Sequence, residues 1–167
     1  MKLRLTVRDL DAADLADLDW SGGPEHLRAV AAALQATYAA EVGLVVASLA
    51  NGRLAGMGAV DFRPLPGVGL ISMLSVHERL QGLGIGTRLI RALERRTVRS
   101  GRSTARIHVE HDNPHARMLY LRRGYGEVGS TIDDWPVAGG KTYVTACTIL
   151  ERPLGVGEPP TRPSPPH

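Results

Sequence analysis

Leu3, Leu5 and Val7 alternate with Arg4, Thr6 and Arg8, the period-two rhythm of a strand that buries one face. Asp11 then precedes a weakly amphipathic stretch to Leu18 and reads as the cap of a short helix. From Pro24 the rhythm changes. Leu27, Val30, Ala31, Leu34 and Tyr38 recur at helical spacing, which predicts a helix ending before Gly43. Apolar runs at 44–49 and 53–60 flank Asn51-Gly52, a dipeptide suited to positive φ, and so predict two strands joined by a two-residue hairpin turn.

Pro64, Pro66 and Gly67 break the pattern, and positions 69–76 resume as an apolar strand that runs straight into a glycine-rich segment. Beyond it Ile85, Leu89, Ile90, Leu93 and Val98 mark the buried stripe of a helix to about Ser100. Arg91, Arg95, Arg96 and Arg99 fall mostly outside that stripe, as a solvated face does. A strand follows at 104–109, a helix at 113–123 stopped by Gly124, and a last strand at 143–150 after the Gly139-Gly140 turn. From Pro153 to His167 the chain is proline-rich with almost no large apolar side chains, and is expected to be an extended or disordered tail after a domain over 1–152.

The 167 residues suffice for one domain with a sizeable core, and the 43% hydrophobic and 22% charged fractions are those of a soluble globular protein. Net charge is +3 and almost all of the cations are arginine, which suits small acidic ligands but falls short of the dense basic stripe that nucleic acid demands. Cys147 is the only cysteine, so there is no disulfide framework, thiolate zinc set or redox pair. No apolar run approaches the roughly 20 residues that cross a bilayer, and the N-terminus lacks a signal-peptide core. The expected address is the cytoplasm, with no membrane or nucleic-acid partner.

Gln81, Gly82, Leu83, Gly84, Ile85, Gly86 and Thr87 join a strand to a helix, and that junction suits phosphate. A helix start leaves backbone N–H groups unpaired, its dipole adds partial positive charge, and glycines let ligand oxygens approach the main chain. Arg88, in the first turn, is placed to assist. A P-loop is excluded, because no lysine lies between Lys2 and Lys141. A dinucleotide fingerprint is excluded too, since Gly82, Gly84 and Gly86 are spaced GxGxG rather than GxGxxG.

A second motif lies downstream. Asn113, Ala116 and Tyr120 share one helical face and Gly124 ends that helix, with Asn113 suited to cap it ahead of Pro114. Together the two segments resemble the GNAT superfamily of acetyl-coenzyme A dependent N-acetyltransferases. Val76, Gln81, Gly84 and Gly86 stand where that family has a strand end and a (Q/R)xxGx(G/A) loop. Asn113, Ala116, Tyr120, Gly124 and Tyr125 match its NxxAxxxYxxxG(F/Y) helix. The resemblance extends over about 3–152. It implies an α/β fold in the α+β sense, a mixed and largely antiparallel central sheet flanked by helices, and direct acetyl transfer to a primary amine without a covalent enzyme intermediate.

The resemblance also implies roles. Main-chain N–H groups from Gln81 to Thr87 would bind the pyrophosphate of acetyl-CoA. Leu74, Ser75 and Val76 would pair with its amide-bearing arm as with an added strand and polarise the thioester carbonyl. Asn113 would hydrogen-bond that arm, and Tyr120 would give a proton to the departing thiolate. The chemistry wants such groups: an ammonium with a pKa of about 10.4 must lose a proton before it attacks, and charge then develops on oxygen and next on sulfur.

The residues leave the general base open between His108 and Glu110, which lie two apart on the same strand face just before Asn113. Metal binding by His108, Glu110, His111 and His115 is not expected, since His111 points away and His115 follows a proline. Trp20, Tyr38, Asp61, Phe62, Asp133, Asp134 and Trp135 are candidate walls of an acceptor pocket, although Asp133 to Pro136 reads equally as an exposed loop. Neither the acceptor nor the acyl chain is legible, and the resemblance admits a homodimer through the late strands. The competing reading is an acyl-CoA-binding sensor without catalysis.

Overall fold

The computed structural model describes residues 3–155. Alternation at the start of the chain produces β1 (Leu5–Asp9), in which Leu5 and Val7 turn inward. The segment expected as a helix after Asp11 is a six-residue 3-10 turn, Ala12–Asp17, opened by a capping box. The Asp11 carboxylate accepts from the Ala13 N–H at 2.8 Å while Asp14 reaches back to the Asp11 N–H at 2.8 Å. A second short turn, Asp19–Ser21, leads into α1 (Pro24–Thr37), which buries Val30, Ala33 and Leu34.

Next come β2 (Val42–Leu49) and β3 (Leu54–Asp61), an antiparallel pair. Their connection has three residues rather than the two expected. The Leu49 N–H donates to the Arg53 carbonyl at 2.8 Å, and only Gly52 has positive φ, 84°. Asn51 contributes through its side chain, which accepts from the Arg53 N–H at 3.0 Å.

The remaining elements are β4 (Val68–Val76), α2 (Ile85–Arg99), β5 (Thr104–Glu110), α3 (Pro114–Arg122), β6 (Gly126–Val137) and β7 (Lys141–Pro153). Seven strands form one sheet in the order β1-β2-β3-β4-β5-β7-β6, in which only β4 and β5 run parallel. The expected mixed, largely antiparallel sheet is therefore present. One face carries α2 and α3 on a core that includes Leu89, Ile90, Leu93, Ile107, Val109 and Tyr120. The other carries α1 on a core that includes Leu34, Leu44, Val46 and Met57.

Two sequence expectations shift at the C-terminal side. Asp133, Asp134 and Trp135 are not in a loop but in β6, an edge strand paired with β7 from Gly126↔Glu151 to Val137↔Lys141. Pro136 is tolerated there because its missing N–H is needed by no second neighbour. Pro153, the first residue of the expected tail, still closes β7, and the Leu154 N–H donates to the Ser103 carbonyl at 2.8 Å. Positions 156–167 of that tail lie outside the described residues. Among the described residues no helix is long and apolar enough to cross a membrane.

Candidate active site

The parallel pairing of β4 and β5 runs from Val68↔Thr104 to Ile71↔Ile107 and stops, although β4 continues to Val76 and β5 to Glu110. β5 stays paired with β7 as far as Glu110↔Cys147, so it is β4 that departs. A bulge explains why. Ala59 faces Ser72 while Met57 faces Ser75, so β4 carries one extra residue, and Met73 there adopts φ 54°. Ser75 and Val76 keep β3 on one edge while Leu74 lies in the bulge, and on the edge toward β5 the backbone groups of all three have no ladder partner among the described residues. Such an edge can accept an added strand or an amide-bearing chain.

The glycine segment continues from that edge. Gly82 and Gly84 both hold φ 81°, and a Cβ at either meets nothing within 4 Å, so glycine is needed there for its backbone angle rather than for space. Gly84 caps α2, and the Arg88 N–H reaches the Gly84 carbonyl at 3.2 Å. The N–H groups of Ile85, Gly86 and Thr87 are left ahead of the helix, at the positive end of its dipole. Ile85 is buried and anchors the turn, whereas Leu83 is exposed. The Gln81 amide lies 3.5 Å from the Val76 carbonyl. Arg88, expected at the phosphate, lays its guanidinium on the Leu5 carbonyl of β1 at 3.2 Å.

A contact that the sequence reading overlooked sets the height of this turn above the sheet. A Cβ on Gly56 of β3 would stand 2.8 Å from Leu89 Cδ1, 3.1 Å from Ile85 Cγ2 and 3.2 Å from the Ser75 carbonyl. Glycine there lets the first turn of α2 approach β3 and β4 closely.

Across the gap, Asn113 caps α3 by accepting from the Ala116 N–H at 3.1 Å, which leaves its NH2 donors available. Tyr120 is buried on the inner side of α3, and its hydroxyl has no hydrogen-bond partner among the described residues. Burial pushes its pKa well above the usual phenol value, with Arg123 opposing. The ring packs edge-on against Tyr125, 5.5 Å between centroids. Tyr125 in turn donates to the buried Glu94 carboxylate of α2 at 2.9 Å, which Arg123 and Arg152 also reach at 3.0 and 2.8 Å. Glu94 thereby fixes α3 and β7 against α2 and holds the ring beside Tyr120.

Ile107 and Val109 share the α2 and α3 face, so His108 and Glu110 project from the opposite one. His108 is the first residue of β5 beyond the last β4 pair, and its Nδ1 lies 2.8 Å from Asp133 Oδ2. Register puts Glu110 opposite Cys147, and Thr131 of β6 opposite the same cysteine. Burial, then the Asp133, Glu110 and Asp112 carboxylates, push the Cys147 thiol up to about 11. Trp135 packs on Tyr143 at 4.9 Å between centroids. Trp20 packs on His77, just after β4, at 5.4 Å.

Tyr38, Asp61 and Phe62 do not join this set. Asp61 pairs with Leu70 of β4, six residues from Val76 and so about 20 Å away along the strand. Phe62 is buried beneath the Arg102 guanidinium, and Tyr38 lines a groove with Arg96, Arg99 and Ser100 at the far end of α2. Asp134 alternates to the other face of β6 from Asp133. Among the described residues no group of three or more His, Cys, Asp or Glu is arranged to hold a metal ion.

Comparison with known proteins bears on this geometry. A model of the Acetyltransferase (GNAT) family matches residues 11–125. No curated protein sequence matches the chain. Among solved structures, the ribosomal-protein-S18-alanine N-acetyltransferase of Escherichia coli is 18% identical with a TM-score of 0.71, covering 95% of this chain and 99% of that one. A chimera of the spermidine N-acetyltransferase of Vibrio cholerae with a human segment is 19% identical with a TM-score of 0.71, covering 90% and 95%. A structure from Salmonella typhimurium with its cofactor acetyl-CoA is 20% identical with a TM-score of 0.67, covering 90% and 94%. These likenesses establish a shared fold.

Proposed function

The chain belongs to the acetyltransferase (GNAT) family, and from that membership we propose that it moves the acetyl group of acetyl-CoA directly to a primary amine of a small molecule or peptide. The observation that carries the proposal is the unpaired edge of Leu74, Ser75 and Val76 leading into the open amides of Ile85, Gly86 and Thr87. The donor set fits the ligand: backbone N–H groups at a helix start for a diphosphate, and a strand edge for a chain bearing two amides. Bound there, acetyl-CoA supplies an activated carbonyl carbon.

The chain's own groups do the rest. Gln81, Gly82, Leu83 and Gly84 complete the pyrophosphate cradle, and Asn113 donates to the amide arm from the other side of the gap. Backbone N–H groups of the β4 edge stabilise the carbonyl oxygen as it gains charge. Tyr120 keeps its proton at neutral pH because burial disfavours the phenolate, and it releases that proton to the sulfur as negative charge develops there. A base on β5, His108 or Glu110, takes the proton of the amine.

The test is thiol release from acetyl-CoA across a panel of amines. The panel includes a polyamine and a peptide with an N-terminal alanine, because two structural neighbours are a spermidine N-acetyltransferase and a ribosomal-protein-S18-alanine N-acetyltransferase. Acceptor-dependent thiol is expected, and Tyr120→Phe should lower kcat by about 10²- to 10⁴-fold while CoA binding persists. Unchanged turnover in folded Tyr120→Phe would remove the phenol from the reaction, and tight CoA binding with no acceptor-dependent thiol would favour the sensor.

A further inference from the structure

We propose that His108, held by Asp133 of β6, is the general base, and that Glu110 is not. The inference rests on the transfer reading above and selects between the two candidates left open there. Three observations converge on the pair. The His108 Nδ1 and Asp133 Oδ2 lie 2.8 Å apart, with both side chains partly buried, 22% and 30% exposed. A carboxylate accepts, so Nδ1 carries the hydrogen and the lone pair resides on Nε2. That Nε2 is enclosed and has no hydrogen-bond partner among the described residues. Finally, His108 stands at the fork where β4 leaves β5.

A buried polar atom without a partner costs about 1–3 kcal/mol, and a role in a reaction is one reason for a fold to keep it. Arg123 Nε shares the condition, but only His108 stands at the fork. The acceptor amine gives His108 that role. Nε2 is closed to solvent, so the ring or a neighbour shifts as the acceptor enters from the α1 side of the sheet, while Tyr120 serves the sulfur from the α2 and α3 side. Glu110 sits two residues farther out, has no hydrogen bond fixing its carboxylate among the described residues, and faces Cys147.

The step balances. The acceptor ammonium gives one proton to solvent, and its nitrogen forms the C–N bond to the acetyl carbon. His108 Nε2 takes the second proton of that nitrogen as the C–S bond breaks, and the sulfur takes the Tyr120 proton. Imidazolium and phenolate then exchange a proton through water, leaving amide, free thiol and one proton released. Asp133 is a positioning residue: it fixes the tautomer and balances the imidazolium charge through Nδ1–H. The charged and titratable groups on or beside this face include Arg106 with its partner Glu151, Glu110, Asp112, Asp133, Tyr143 and the Cys147 thiol.

Steady-state kinetics across pH on His108→Gln, Asp133→Asn and Glu110→Gln, with calorimetry of CoA binding to each, tests the assignment. His108→Gln should lose about 10²- to 10⁴-fold in kcat with CoA binding intact. Asp133→Asn should lose at least about tenfold in kcat with little change in KM, and its pH profile should move. Glu110→Gln should keep most of the activity. A collapse in Glu110→Gln beside an active His108→Gln would overturn the proposal. Long-range ¹H–¹⁵N spectra of the histidine side chains decide the pairing without any acceptor. An Nδ1–H tautomer at His108 that weakens in Asp133→Asn supports it, and an Nε2–H tautomer overturns it. A wild-type chain that binds CoA but releases no thiol with any amine overturns the transfer reading, and the base role with it.

Discussion

Asp14 shows how one carboxylate can serve two elements. It completes the capping box at Asp11 and also receives both Arg8 guanidinium nitrogens, at 2.7 and 2.9 Å, which ties β1 to the turn that follows. The Arg8 hydrogen bonds hold its carboxyl below the ordinary 3.8, against the opposing effect of burial. A carboxylate with a lowered native pKa contributes stability that is complete above its unfolded value and is lost as pH falls through the native one. The stability gap between wild type and Asp14→Asn should therefore be widest at neutral pH and close as pH falls below about 3.8, as urea midpoints would report. A gap independent of pH would contradict this. At the residue scale the sequence revealed the motif side chains and the Asp11 cap. It did not reveal the His108–Asp133 bond, because that contact spans 25 positions and depends on β6.

Helix α2 is the element on which the candidate site turns. Its buried stripe of Ile85, Leu89, Ile90 and Leu93 was evident from periodicity, and so was its glycine start. Its height above the sheet was not, since that depends on Gly56, which in sequence is one more small residue of an apolar strand. Gly56→Ala should cost about 1–3 kcal/mol by overpacking and weaken CoA binding, because the amides of Ile85, Gly86 and Thr87 move relative to β4. Gly126→Ala at the start of β6, where a Cβ meets nothing within 4 Å and φ is not positive, should change neither. Equal effects of the two substitutions in denaturation and binding assays would refute the seating role. β6 was illegible for a related reason: its glycines, paired aspartates and Pro136 have little strand propensity, and it forms because β7 offers it a long ladder.

Over the whole molecule, a sheet with one parallel pair among antiparallel ones creates the gap, because only β4 is free to bend away from β5 at the Met73 bulge. The two motifs then stand on either side of that gap, the phosphate-suited helix start beyond β4 and the Asn113 and Tyr120 helix beyond β5. Their order and the elements between them were readable along the chain. The opposite placement of Tyr38, Asp61 and Phe62 was not, since a list of aromatic and acidic residues carries no information about which end of a strand each occupies. The most direct test of the account is a calorimetric titration of CoA into the folded chain at two temperatures, so that a heat vanishing at one is seen at the other. The account predicts saturable binding at one site per chain. Folded protein that takes up neither CoA nor acetyl-CoA would contradict it.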